Sequence, residues 1–87
     1  MASTGSSFLA ETAAGALLDA RGLKGPLPVL KLEKRLEQLP AGEVLTVLAT
    51  DPIAKIDIPL YCTRHGHACE VSARDDALTF RIVKAPA

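Results

Sequence analysis

The sequence predicts an α/β fold in which a mixed four-stranded sheet is covered by two helices. Two segments repeat apolar residues at helical spacing, four shorter segments alternate or run continuously apolar, and Pro, Gly or Asp residues separate the segments. The resulting order is strand, helix, strand, helix, strand, strand. Because a helix joins the first two strands, we expect them to be parallel and connected by a right-handed crossover.

Length and composition favour one small domain. The chain has 87 residues, of which 48% are hydrophobic and 3% aromatic, so its core must be mainly aliphatic. Ten basic residues balance ten acidic ones, so no overall field would attract nucleic acid or an anionic membrane, and we expect neither partner. We find neither a secretory signal pattern nor an apolar run near the roughly 20 residues of a membrane span. A cytoplasmic protein with reduced cysteines is therefore expected.

The composition changes near residue 15. Residues 1–15 are rich in Ala, Ser, Thr and Gly, with Glu11 as their single charged residue. Such a segment can bury little apolar surface, which predicts a flexible N-terminal tail over 1–15. A transit peptide is disfavoured because this segment has no Arg. The folded domain is then expected to occupy residues 16–87.

The first half of the domain shows a strand and an amphipathic helix. Ala16–Ala20 is a short apolar run that ends near Gly22, as expected for a strand and a tight turn. A helix is predicted from Pro26, where proline suits a position whose amide donor would be unpaired, and Pro40 closes it. Its apolar positions are Val29, Leu32, Leu36 and Leu39.

A central strand and a second helix follow. Glu43–Thr50 is apolar at both alternating positions, which is typical of a central strand. Asp51 and the following proline predict a helix start, and Gly66 a helix end. Pro59 lies inside this segment, which predicts a kink or a late start at Asp57. The side chains expected to face inward are Ile53, Ile56, Leu60 and either Tyr61 or Cys62.

The C-terminal part predicts a β-hairpin. His67–Arg74 and Ala77–Lys84 both alternate, and Asp75-Asp76 between them predicts the turn. Cys69 and Val71 share one face of the first strand. The inward face of the second strand carries Leu78, Phe80 and Ile82.

Residues 18–29, LDARGLKGPLPV, resemble the opening motif of the TusA/SirA family, L-D-x-x-G-L-x-C-P-x-P. Three further matches follow in order and spacing: LPAGE at 39–43, Asp51-Pro52, and DIP at 57–59 with Tyr61-Cys62. The resemblance covers about residues 17–84. It implies a two-layer α/β sandwich with both helices on one face of the sheet.

The same resemblance implies a function in sulfur relay. Members of this family accept a persulfide from a cysteine desulfurase or another sulfur donor and pass it to a further protein. Their downstream uses include thiolation of transfer RNA and sulfur trafficking in oxidation pathways. The expected partners of this chain are therefore a donor protein and an acceptor protein.

The reactive cysteine of the C-P-x-P motif corresponds to Gly25 in this chain. A thiol at a helix start ionises readily, because unpaired amide donors and the helix dipole stabilise the thiolate. Glycine caps a helix acceptably, so we expect the fold to tolerate it, but it cannot hold sulfur. Gly25 marks the expected catalytic position, and the expected partner-binding residues around it are Lys24, Pro26, Pro28 and Lys31.

Two explanations of Gly25 remain open. Either the natural protein has cysteine here and it has been replaced deliberately, or the chain is a natural paralogue that binds partners without carrying sulfur. The second explanation makes the domain a non-catalytic binding or regulatory module.

The remaining thiols and imidazoles offer an alternative site. Cys62, His65, His67 and Cys69 lie close in sequence, and a thiophilic metal would favour such ligands. Their spacing is compressed compared with structural zinc modules, and both cysteines fall on predicted apolar faces, so core packing is favoured and no metal or other cofactor is expected. Burial would also raise the thiol pKa, which argues against either cysteine as a substitute carrier. The histidines are expected near the helix end, where an imidazolium interacts favourably with the dipole.

Overall fold

A computed structural model describes residues 16–86 of the chain. Its elements are β1 (Ala16–Asp19), α1 (Leu27–Glu37), β2 (Val44–Ala49), α2 (Ala54–His65), β3 (Ala68–Arg74) and β4 (Ala77–Val83). The predicted order of strands and helices is confirmed. The predicted tail, 1–15, lies outside the described residues. Within residues 16–86, neither helix is long and apolar enough to cross a membrane.

The strands form one mixed sheet in the order β1-β2-β4-β3. β1 runs parallel to β2, and β4 runs antiparallel to both β2 and β3. The predicted parallel pair, hairpin and mixed sheet are confirmed, and the structure adds the pairing of β4 with β2. The β3–β4 turn places Asp75 at a φ of 56°, a left-handed conformation that Asp tolerates better than most residues.

Both helices pack on one face of the sheet, and the core lies between the two layers. β2 contributes Leu45, Val47 and Ala49 to this core, and β4 contributes Phe80 and Ile82. β3 lies at the edge of the sheet, where Cys69 is half-buried and Val71 remains 41% exposed. Cys69 and Val71 do share the face of Phe80 and Ile82, as predicted, but the position of β3 leaves Val71 uncovered.

Helix α1 begins one residue later than predicted. The Pro26 carbonyl accepts the Leu30 amide at 3.0 Å, so Pro26 caps the helix and Leu27 is its first residue. The helix ends at Glu37. Beyond this end, Lys84 Nζ donates to the carbonyl oxygens of Leu36 and Leu39 at 2.6 and 2.7 Å, which joins the residue after β4 to the C-terminal end of α1.

Helix α2 does not start late at Asp57, so that alternative is wrong. Hydrogen-bonded turns begin at Asp51, whose carbonyl accepts the Ala54 amide at 3.0 Å, and the helix continues through Pro59. Gly66 ends it in the left-handed conformation at a φ of 78°, as predicted.

The predicted inward face of α2 is confirmed at Cys62 and is otherwise wrong. The buried residues are Ala54, Ile58 and Cys62, which are spaced four residues apart and therefore share one stripe of the helix. The residues expected to be buried that are instead exposed are Ile53, Ile56 and Leu60. Because Ala54, Ile58 and Cys62 occupy the buried stripe, the large aliphatic residues on the neighbouring face of the helix point outward.

Candidate functional site around Gly25

Gly25 lies in the loop between β1 and α1, immediately before the helix cap. Its φ is +61°, in the left-handed region that residues with a side chain rarely adopt. A Cβ built at this position would meet no heavy atom within 4 Å other than those of Gly25, Lys24 and Pro26. The loop therefore has space for a side chain, although its backbone conformation favours glycine.

Asp51 connects this loop to the start of α2. Its Oδ2 accepts the Gly25 amide at 2.8 Å, and its Oδ1 accepts the Ile53 amide at 3.2 Å. The sequence predicted Asp51 as a helix cap, but its bond to Gly25 joins residues 26 positions apart and had no sequence signal. The Gly25 amide is therefore paired within the protein and is not an open donor for an anion.

The residues predicted to surround the site differ in exposure. Lys24, Pro26 and Lys31 are exposed, and each lies at or just beyond the loop. Pro28 is fully buried. The expectation that Pro28 contacts a partner is corrected, because its ring packs in the interior and a partner cannot reach it.

Exposed aliphatic side chains flank the Gly25 loop from both helices. In the described part of the chain seven large hydrophobic residues are exposed. Five of them lie in α1, in α2 or at the residue just before α2. We call them the apolar rim: Leu27, Leu30, Ile53, Ile56 and Leu60. Leu30 is 51% and Ile56 is 62% exposed. A concentration of apolar surface of this kind is typical of a protein interaction site.

Sequence reasoning missed the α2 part of the apolar rim. It assigned Ile53, Ile56 and Leu60 to the core because large aliphatic residues are usually buried. The signal that could have identified the exposed face is the spacing of Ala54 and Ile58 with Cys62, which places smaller side chains against the sheet.

A groove of about 250 Å³ separates the two helices beside the loop. Its lining residues are Pro26, Val29, Asp57, Leu60, Tyr61, Arg64 and His65. The Tyr61 and His65 rings pack together with their centroids 4.3 Å apart. The groove thus combines apolar and aromatic walls with both a carboxylate and a guanidinium.

The two thiols lie in the interior, away from this surface. Cys62 is 1% exposed, and burial raises its pKa to about 12. Cys69 is half-buried, and burial raises its pKa as well. The two cysteines are not joined by a disulfide. The preference for core packing is confirmed, because neither thiol ionises near neutral pH.

Both histidines lie near the end of α2, as predicted, because His65 is its last residue and His67 follows Gly66. The predicted charge of His67 is wrong. His67 Nδ1 accepts the Ala85 amide at 2.8 Å, and its pKa is lowered by burial and by the neighbouring His65 and Lys84. His67 is therefore neutral at pH 7 and does not act as an imidazolium at the helix end. Among residues 16–86, no three His, Cys, Asp or Glu side chains lie close enough together to hold a metal ion.

Known proteins resemble this chain over most of the residues that the structure describes. The family described as "Sulfurtransferase TusA" matches residues 16–84. The sulfur carrier protein TusA of Pseudomonas putida is 45% identical over 65 residues, covering 75% of this chain and 80% of that protein. The TusA protein of Pseudomonas entomophila is 52% identical over 52 residues, covering 60% of this chain and 65% of that protein.

A solved structure shares the fold. The crystal structure of a SirA-like protein from Desulfitobacterium hafniense superposes with a TM-score of 0.74 at 29% identity, covering 80% of this chain and 97% of that one. This agreement extends to the mixed four-stranded sheet and its two helices. The chain belongs to the TusA family of sulfur carriers.

Proposed function

We propose that this protein docks the donor and acceptor proteins of a sulfur relay through the surface around Gly25, and that it holds no sulfur at that position. The donor class is a protein persulfide, such as that of a cysteine desulfurase, and the compartment is the cytoplasm. Thiolation of transfer RNA is one relay such a protein would serve. Membership of the TusA family supports the relay role. Gly25 restricts that role to docking, because glycine has no side chain that could carry sulfur.

The apolar rim is the observation that carries this proposal. Leu27 and Leu30 are three residues apart and share one face of α1, while Ile53, Ile56 and Leu60 share one face of α2. The two faces begin on either side of the Gly25 loop, which the Asp51 bridge holds against α2. A partner that covers this surface would bury apolar area next to the position where relatives present a thiol.

Charged residues of both signs border the apolar rim. The cations are Lys24, Lys31 and Arg64, and the anions are Glu33, Glu37 and Asp57. We therefore expect a partner surface with both acidic and basic groups around an apolar centre, whose pairing fixes the orientation of docking.

A non-catalytic binding module is the second candidate function. It is favoured by the φ of +61° at Gly25, because a residue with a side chain would cost about 1–2 kcal/mol more in this conformation. The loop conformation thus suits the glycine that the chain contains. Both candidates use the same docking surface and differ in whether a cysteine ever occupied position 25.

Binding to a cysteine desulfurase tests the docking surface directly. Calorimetry should detect a complex between the unmodified chain and the desulfurase that loads the Pseudomonas putida carrier. Leu30→Asp should weaken this complex at least about tenfold, equivalent to about 1.4 kcal/mol, because a carboxylate would replace an apolar contact. Val71→Asp is the matched control, since Val71 is also exposed but lies on the edge strand β3. Equal weakening by both variants, or no binding by the unmodified chain, would contradict the proposal.

A further inference from the structure

Building on the proposed function, we propose that this chain is a competitive inhibitor of sulfur transfer, which occupies persulfide-bearing donor proteins and excludes the cysteine-bearing carriers of its family. The partner is thus a donor protein that presents a cysteine persulfide. The inference combines two observations: the chain keeps an exposed docking surface, and it has no nucleophile there to complete the transfer.

The chemistry of transfer requires a thiolate at the docking surface. An acceptor thiolate attacks the outer sulfur of the donor persulfide, a new sulfur–sulfur bond forms on the acceptor, and the donor leaves as its own thiolate. Gly25 supplies no such group. Cys62 is 1% exposed and Cys69 is half-buried on β3, so both lie away from the loop and are protonated near neutral pH. A docked donor would therefore keep its sulfur.

Docking does not depend on the missing thiol. The five residues of the apolar rim are exposed without any contribution from a side chain at position 25. The Asp51 carboxylate holds the loop through the Gly25 amide, with an oxygen–nitrogen distance of 2.8 Å, so the loop is ordered before a partner arrives. Preorganisation of this kind lowers the entropic cost of binding.

The local geometry also allows a donor persulfide to approach. Apart from Gly25 and its neighbours Lys24 and Pro26, no heavy atom lies within 4 Å of the point that a Cβ at position 25 would occupy. In a carrier with cysteine, the thiol would fill this space. In this chain, the space can admit the outer sulfur of the donor without a steric clash, so docking is not blocked by the same feature that prevents transfer.

A chain that occupies the donor protein without accepting its sulfur should slow the loading of the carrier by a predictable factor. When an inhibitor and a carrier compete for one donor site at low carrier concentration, the transfer rate falls by the factor one plus the ratio of inhibitor concentration to its Kd. An inhibitor present at ten times its Kd should therefore slow sulfur loading of the carrier about tenfold.

A labelling experiment tests this inference. The Pseudomonas putida TusA protein, its cysteine desulfurase and radiolabelled cysteine are mixed with increasing amounts of the full-length chain, and the initial rate of carrier labelling is measured. We expect the rate to fall about tenfold at ten times the Kd measured by calorimetry. The inhibition should be overcome by adding more carrier, and the added chain should remain unlabelled.

Variants separate competition from nonspecific effects. Leu30→Asp should lose the inhibition along with binding, and Val71→Asp should retain both. Gly25→Cys should become labelled itself. If the unmodified chain binds the desulfurase but leaves the labelling rate unchanged, the competitive role is wrong while the docking surface stands. If the chain does not bind, both the competitive role and the proposed function are wrong.

Discussion

A sulfur carrier must combine an accessible position with a thiol. In this chain the Gly25 loop has the accessible position, whereas Cys62 and Cys69 have the thiols. The loop is accessible and has open space for a side chain, but it contains no sulfur. The pair contains both sulfur atoms of the cysteines, but Cys62 is buried in the core and Cys69 is half-buried. The loop could support transfer chemistry if it had a thiol, whereas the pair serves packing.

This contrast shows that the environment of a thiol decides its role. Burial disfavours the thiolate, so the Cys62 pKa rises to about 12 and the side chain behaves as a small hydrophobic group. A thiol at the exposed loop would lack this desolvation penalty. The mere presence of two cysteines in a TusA chain is therefore insufficient evidence for sulfur transfer.

The largest expected effect is on thiol reactivity. Gly25→Cys should introduce a thiol with a pKa near or below the ordinary value of about 8.5, against about 12 for Cys62. At pH 7 the thiolate fraction of the new side chain should exceed that of Cys62 by at least about three orders of magnitude. Reaction with a chromogenic disulfide reagent in native buffer should show one fast thiol in the variant and none in the unmodified chain. A fast thiol in the unmodified chain would remove the distinction between the two regions.

The next effect is on stability and compares the two faces of α2. Ile58→Ala removes a fully buried side chain and should lower the free energy of unfolding by about 2–5 kcal/mol. Ile56→Ala, at a position that is 62% exposed, should change it by less than about 0.5 kcal/mol. Urea denaturation measures both. Similar losses for the two variants would mean that the apolar rim belongs to the core.

A smaller effect concerns the bridge that holds the Gly25 loop. Asp51→Ala removes the acceptors of the Gly25 and Ile53 amides and should cost about 1–2 kcal/mol of unfolding free energy. Asp76→Ala, in the exposed β3–β4 turn, is the control and should be close to neutral. Hydrogen exchange at the Gly25 amide should accelerate only in the Asp51 variant. Unchanged exchange there would show that the carboxylate does not hold the loop.

The last expected effect is a pH dependence that originates at Cys62 and is confined to alkaline pH. Its folded pKa of about 12 lies above the ordinary value of 9.0, so the folded state favours the neutral thiol. The stabilisation is complete below pH 9.0 and is lost as the pH rises toward about 12, because the unfolded thiol ionises first. Cys62→Ala should lose less stability than the unmodified chain between pH 9 and 11. Parallel curves for the two proteins would contradict burial as the cause.

The sequence was sufficient to predict the parallel β1–β2 pair and the β3–β4 hairpin, but not the pairing of β4 with β2, because the first two had strong local signals. Gly66 predicted the end of α2, the two-aspartate turn predicted the hairpin, and the helical connection predicted the parallel pairing of β1 and β2. These signals depend on backbone geometry within a few residues. Tertiary contacts therefore did not change the turns and the pairing that these signals predict.

The candidate site was less accessible to sequence reasoning because it depends on tertiary contacts. Helix α2 has two apolar stripes at helical spacing, one through Ala54 and one through Ile53, and only the packed structure shows that the Ala54 stripe is the buried one. The bond between Asp51 and Gly25 joins two loops that are distant in sequence. The position of Gly25 could be identified from the motif, whereas the surface around it could not.

Peptide mass spectrometry tests the central claim most directly. The unmodified chain and Gly25→Cys are incubated with a cysteine desulfurase and free cysteine, digested without reductant, and searched for peptides that have gained a sulfur atom. We predict sulfur on residue 25 of the variant and none on either chain at Cys62 or Cys69. Sulfur on Cys62 or Cys69 of the unmodified chain, or failure of the variant to gain sulfur while it still binds the desulfurase, would contradict this account.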